Sequence, residues 1–215
     1  MNKTLKTLER IFLIFILGSI LGYLYETILV FFQTGHYESR QGLIYGPLTP
    51  VYGIGGVVYY LFFEKVRIRK LPQVFLISML LGGITEYIAS LVQEWCFGTR
   101  SWDYSYLLFD INGRTSLLHC CYWGIAGILY IKCILPLIEK AENSLEKKFV
   151  QNMTMVLVIF MTFNISISVM ACVRQEERIN NQPADNKIEA FLDKRYPDER
   201  LDRIFSNKKY VRQEN

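Results

Sequence analysis

The sequence predicts an all-α membrane protein, a polytopic bundle of five transmembrane helices followed by a polar C-terminal tail. Hydrophobic residues make up 51% of its 215 positions and charged residues only 20%, which is too apolar for an ordinary soluble domain. Charge is also unevenly placed, because the chain after residue 173 is densely charged whereas residues 11–173 hold nearly all of the apolar mass. These two observations divide the chain into a transmembrane domain, 1–173, and a charged tail, 174–215.

Five apolar segments are long enough to cross the membrane, since about 20 mainly apolar residues span the hydrocarbon layer. Glu26, Glu86 and Lys132 are the charged residues inside the first, third and fourth segments. The predicted spans cover about 11–32, 43–63, 71–92, 115–138 and 150–173.

The basic residues next to these spans predict the orientation. One set of chain ends and loops holds ten of them, and the two opposite short loops hold three. Because cytoplasmic loops carry the excess of Lys and Arg, we expect the N-terminus inside and, after five crossings, an extracytoplasmic tail. The ten are Lys3, Lys6, Arg10, Lys65, Arg67, Arg69, Lys70, Lys140, Lys147 and Lys148; the three are Arg40, Arg100 and Arg114.

The second span begins with helix-breaking and close-packing residues, among them Gly46, Pro47, Pro50 and Gly53. Proline removes a backbone donor and clashes with the preceding turn. Two interpretations remain open: a broken or kinked helix whose irregular backbone lines a protein-lined cavity, or a proline-containing loop that leads into a helix starting near Tyr52.

Spans one and three share the pattern Leu-Gly-x-x-x-Glu, which places Glu26 and Glu86 at a similar depth. Each glutamate is followed, across an outer loop, by one arginine near the start of the next span, Arg40 or Arg114, and then by an aromatic-glycine pair. This pattern indicates a parallel repeat of two hairpins, with the fifth span added outside it.

An ionised carboxylate is costly inside hydrocarbon, so we expect both glutamates to face the bundle and to meet a cation or to be protonated. One hypothesis is an outward-facing polar pocket, in which the Trp102-Asp103-Tyr104 loop acts as a lid. The alternative is a pair of Glu/Arg clamps that hold the hairpins, with an ordinary ordered turn above them. The pocket candidates are Glu26, Arg40, Tyr45, Glu86, Trp102, Asp103, Tyr104 and Arg114.

The sequence of the tail predicts two short helices, one over 186–195 and one after Pro197 that Asp198 would cap. A largely disordered tail is the alternative.

A disulfide among Cys96, Cys120 and Cys172 is conceivable, since all three map to the outer half. No Walker A motif and no catalytic motif occurs in the sequence, so we expect no ATPase of its own and no enzymatic activity. We also expect no metal, no cofactor and no nucleic-acid partner.

Several ordered motifs between Gly22 and Gly124 resemble the ABC-transporter type IV permease family, the CmpB-like bacterial membrane proteins. The resemblance implies a multi-pass permease component of the bacterial plasma membrane. The motifs are Gly22-x-x-x-Glu26, the run from Arg40 to Gly53, Glu86-Tyr87-x-x-Ser90, Trp102-Asp103-Tyr104-Ser105 and Asn112-Gly113-Arg114.

Three functions follow as hypotheses. The first is a permease component or substrate-binding transport subunit that works in the lipid membrane with a separate ATPase or with copies of itself. The second is a non-transporting sensor or assembly protein whose tail engages an outside partner. The third is an intramembrane enzyme that acts on a lipid headgroup.

The orientation is testable by cysteine labelling in a variant whose five native cysteines are replaced. A cysteine at Ser206 should react with a membrane-impermeant reagent from outside, and a cysteine at Lys70 only after the membrane is opened, because of the positive-inside bias. The reverse pattern would contradict the predicted topology.

Overall fold

A computed structural model describes residues 3–144 and 146–211 and shows a mainly helical chain with four two-residue strands among these residues. Asp110–Ile111 (β2) pairs with Thr115–Ser116 (β3) in an antiparallel hairpin, and Thr99–Arg100 (β1) pairs antiparallel with the distant Lys209–Tyr210 (β4). The helices are α1 Lys3–Thr34, α2 Pro50–Val66, α3 Leu71–Phe97, α4 Leu117–Leu129, α5 Leu135–Ser144, α6 Lys147–Ile179, α7 Lys187–Arg195 and α8 Asp198–Ile204. The strands are β1 Thr99–Arg100, β2 Asp110–Ile111, β3 Thr115–Ser116 and β4 Lys209–Tyr210.

Four helical stretches in the described part of the chain are long and apolar enough to cross a membrane: Lys6–Thr34, Leu71–Phe97, Leu117–Lys140 and Lys148–Ile179. The third of them joins α4 to α5 through a π-helical turn, Tyr130–Ile134. The chain is therefore a multi-pass membrane protein.

The predicted second span, 43–63, is helical only in its later part. Helix α2 has 17 residues and begins at Pro50, a position that suits proline because the first helical residue needs no backbone donor. The preceding residues are irregular, and Gly46 has a positive φ of 82°. The interpretation as a proline-containing loop before a helix therefore describes this region better than a helix from residue 43.

The bundle is built from two neighbouring hairpins, α1 with α2 and α3 with α4, which make the most extensive helix contacts. Between them lies the main core, which includes Ile14, Tyr59, Phe63, Val74 and Trp123. Helix α6 packs against α1 and α3 from outside the two hairpins.

The irregular segment 43–49 is buried against α6, and polar side chains of α6 bind its backbone. Asn164 accepts a hydrogen bond from the Tyr45 N–H at 3.0 Å and donates one to the Tyr45 carbonyl at 2.6 Å. The Ser168 hydroxyl accepts from the Ile44 N–H at 2.9 Å. These bonds replace those that a helix would have supplied at this depth.

The described part of the tail, residues 174–211, packs over the loops that follow α1 and α3. Helix α6 continues past residue 173 to Ile179, and α7 and α8 then fold back so that Leu192, Tyr196, Leu201 and Phe205 enclose Ile44. The two predicted tail helices form, but Pro197 occupies the N-cap position of α8 and Asp198 is its first helical residue. A carboxylate in the first turn still favours the helix through the dipole.

A network of ion pairs fastens the tail to the end of α6. Arg174 pairs with Asp193 at 2.9 Å, and Arg178 pairs with the same carboxylate at 2.7 Å. The Arg174 side chain is only 3% exposed. Hydrogen bonds from Arg174 and Arg178 hold the pKa of the Asp193 carboxyl below its ordinary value.

The substitution Asp193→Asn should loosen α7 from α6, because it leaves two guanidinium groups with one acceptor fewer. We expect roughly two- to fivefold faster tryptic cleavage within the tail, given the energy of partly exposed ion pairs. Since the folded pKa is lowered, the wild-type tail should keep this protection above pH ~4 and lose it as the pH falls further. Unchanged proteolysis in Asp193→Asn, with the exposed Glu199→Gln as control, would contradict the assignment.

Candidate functional site

Glu26 and Glu86 lie where the two hairpins meet, each one helical turn after a glycine that admits a large aromatic ring. A Cβ atom on Gly22 would lie 2.2 Å from the ring of Tyr52, and one on Gly82 would lie 2.3 Å from Trp123. Any larger residue would therefore push the ring away from the helix. The two glycines let Tyr52 and Trp123 reach the glutamate that follows in the same helix.

Residues at matching positions of the two hairpins contact each other. Tyr52 stacks on Trp123 with centroids 5.3 Å apart, and Tyr59 meets Tyr130 edge to face at 5.9 Å. The underlying sequences are closely similar, Tyr-Gly-Ile-Gly-Gly-Val-Val-Tyr over 52–59 and Trp-Gly-Ile-Ala-Gly-Ile-Leu-Tyr over 123–130. The Tyr52–Trp123 pair joins the hairpins at the level of the carboxylates, and the Tyr59–Tyr130 pair joins them about two helical turns further along α2 and α4.

Glu86 is 7% exposed and is surrounded by hydrogen-bond donors. Thr115 donates its hydroxyl to one carboxylate oxygen at 2.7 Å, and Tyr104 donates to the other at 3.1 Å. The Trp123 side chain is a third hydrogen-bond partner. Neutral donors that converge on a carboxylate offset part of the cost of burying it.

Glu26 is half-buried and has a different environment. The Tyr52 hydroxyl is its hydrogen-bond partner, and Arg40 attracts it electrostatically. Arg40 itself forms an ion pair with Glu38 at 3.1 Å, and its Nε atom is buried without a partner. Arg40 therefore lies near Glu26 but also interacts with a second carboxylate, that of Glu38.

The Glu/Arg clamp, one of the two interpretations of these glutamates, would pair Glu86 with Arg114, but the Arg114 guanidinium binds other residues. Arg114 is buried, and its guanidinium binds Glu94 at 2.8 Å and Ser90 at 3.1 Å. Glu94 lies two helical turns after Glu86 on the same helix and also pairs with Arg100. The arginine thus closes the outer end of α3, while hydroxyl groups satisfy Glu86.

The loop from Trp102 to Tyr104 covers Glu86 at the end where α3 finishes and α4 begins. The Trp102 indole donates to the Arg114 carbonyl at 2.8 Å, and burial raises the pKa of the Tyr104 hydroxyl, which keeps its proton and remains a donor. His119 stacks on the Tyr104 ring with centroids 3.6 Å apart. Asp103 is exposed, and hydrogen bonds from Ser105 lower the pKa of its carboxyl.

Tyr45 lies apart from the two glutamates. Its ring stacks on Phe163, and its hydroxyl bonds to that of Tyr196 at 2.8 Å, so Tyr45 links α6 and the tail. Gly53 makes a close approach to α1, since a Cβ there would lie 2.5 Å from the Phe15 carbonyl oxygen. Gly46, Pro47 and Pro50 shape the segment that leads into α2.

Sequence reasoning missed Thr115 as a partner of Glu86, and Ser90 and Glu94 as partners of Arg114. Hydroxyl groups carry no charge to count, and Arg114 was the candidate because it lies near the start of the next predicted span. The longer similarity between 52–59 and 123–130 would have placed Tyr52 and Trp123 together.

In the part of the chain that the structure describes, no three His, Cys, Asp or Glu side chains are arranged to hold a metal ion. The five cysteines are described and free.

The family described as "Putative ABC-transporter type IV" matches residues 13–169. The chain belongs to this family. The match covers α1 to α4 and most of α6, and hence both glutamates and the aromatic pairs between the hairpins. No curated protein and no solved structure matches the chain.

Glu86→Gln should destabilise the protein by roughly 1–3 kcal/mol, because an amide N–H group then faces hydroxyl donors and one buried polar group loses its partner. Thermal unfolding in detergent measures the effect. Glu139→Gln, at an exposed position of α5, should unfold like the wild type. A Glu86→Gln protein as stable as this control would contradict the donor arrangement around Glu86.

Proposed function

We propose that this chain is the membrane-embedded subunit of a transporter, a permease component that lacks its own ATPase and works with a separate one. The observation that carries the proposal is the pair of carboxylates, Glu26 and Glu86, at the contact between two similar hairpins. Acidic groups at such depth are costly and commonly mark ion or substrate pathways. Membership of the ABC-transporter type IV family supports the same role.

The pocket opens outward in this proposal, with Tyr104 above Glu86 and Arg40 above Glu26. The hydrogen bonds around Glu86 all come from its own hairpin. Tyr52, the hydrogen-bond partner of Glu26, stacks on Trp123 of the other hairpin, so movement of one hairpin against the other changes the surroundings of both carboxylates. Movement of one repeat against another is how many transporters expose a central site to alternate sides. The expected location is the bacterial plasma membrane, with the tail outside.

Affinity purification of the full chain from native membranes tests this function. An ATP-binding protein should co-purify in a fixed ratio, and it should be retained by Glu26→Gln, because that substitution leaves the cytoplasmic face unchanged. A deletion strain compared in defined media, each limiting for one nutrient, should then identify a growth defect. Wild type and Glu139→Gln should restore growth, and Glu26→Gln should not.

A second candidate is a non-transporting sensor or assembly protein. The observation in its favour is the tail, which is ordered and packs on the outer loops through α7 and α8. Co-purification of an envelope protein without an ATPase, together with full growth of Glu26→Gln, would favour this candidate over transport. A lipid that is chemically altered by the purified chain would favour the enzyme hypothesis.

A further inference from the structure

A groove between α6 and α7 lies away from both glutamates and encloses about 270 Å³. Its walls are largely aliphatic: Val169, Met170 and Val173 come from α6, and Ile188 comes from α7. All four side chains are exposed in the monomer, and the three on α6 lie in the outer part of a membrane-spanning helix. This groove therefore borders the acyl-chain and headgroup regions of the surrounding lipid.

Acidic groups form the polar end of the groove. Glu177 and Glu189 line it, beside Arg174 and Asn186. Arg174 and Arg178 contact four carboxylates, those of Glu177, Glu189, Asp193 and Asp198, so two positive charges face four negative ones. The polar end has an excess of negative charge, which disfavours a headgroup of net negative charge and favours one that ends in a cationic group.

Both lining carboxylates keep acceptor capacity. Glu177 accepts from Arg174 at 2.9 Å, and Glu189 accepts from the Asp185 N–H at 2.7 Å and from the Asn186 amide. A carboxylate offers about four acceptor sites, so sites remain on each. An ammonium group supplies three N–H donors and matches them, whereas a trimethylammonium group supplies none.

We propose that the α6–α7 groove binds an aminophospholipid, with its primary ammonium group at Glu177 and Glu189 and its glycerol and upper acyl chain along Val169, Met170, Val173 and Ile188. Phosphatidylethanolamine has this chemistry. The exposed Ile188 and Phe191 of α7 lie one turn apart, as expected for a helix that lies at the membrane interface beside such a lipid. The proposal does not depend on transport.

Native mass spectrometry of the full chain tests it, with an equimolar mixture of phosphatidylethanolamine, phosphatidylcholine and phosphatidylglycerol of the same acyl chains. Retention of one phosphatidylethanolamine is expected, with a preference of about tenfold over either other lipid, the size of one charge-assisted hydrogen-bonded contact. Equal retention of the three lipids, or retention of none, would overturn the proposal.

Two variants locate the site. Glu189→Gln should remove most of the preference for phosphatidylethanolamine, and Met170→Trp should abolish retention by filling the groove while leaving every carboxylate in place. The exposed Glu199→Gln, outside the groove, should behave as wild type. A Met170→Trp protein that unfolds at the wild-type temperature yet still retains phosphatidylethanolamine would place the lipid elsewhere and refute the groove as its site.

Discussion

The contact on which the rest of the bundle depends is the pair of hydrogen bonds between Asn164 and the backbone of Tyr45. Irregular backbone is tolerated inside a membrane only when protein groups satisfy it. Asn164 and Ser168 do this for segment 43–49, and they thereby allow α2 to begin as late as Pro50. Because α2 begins late, Tyr52 lies in the first turn of α2, at the level of Glu26. The position of the candidate site thus follows from a polar residue on a helix outside the two hairpins.

The two glutamates occupy similar positions in similar hairpins but are satisfied by different chemistry. Glu86 is deeply buried and held by neutral donors, whereas Glu26 is less buried and has Arg40 within electrostatic reach. Neutral donors hold a carboxylate in place but do not neutralise its charge. Binding of a proton or a cation would therefore still stabilise Glu86. An asymmetric pair of this kind suits a site whose occupancy changes, because one member stays compensated while the other does not.

The tail packs on the loops that follow α1 and α3. Ser39 and Ser206 exchange hydrogen bonds with the opposite chain segment, and β4 adds to β1 after α3. Together with the Tyr45–Tyr196 contact, these bonds tie the tail to the same segment that α6 holds from the side. These loops and the tail therefore form one layer at the end of the bundle where α3 finishes, and the charged network at Arg174 anchors this layer.

The amino-acid sequence by itself determined the membrane class, the positions of the long apolar helices, the matching places of Glu26 and Glu86 after a glycine in their helices, and the two tail helices, because hydrophobic length, local motifs and helical caps are local properties. Only the tertiary structure decided that Arg114 binds Glu94, that Thr115 binds Glu86, and that Asn164 supports Tyr45. Charge counting along the sequence pairs each acid with the arginine near the start of the next predicted span. A buried polar group instead binds whichever partner the packed helices bring within about 3 Å. A neutral hydroxyl, or an amide more than a hundred residues away, satisfies that requirement as well as an arginine does.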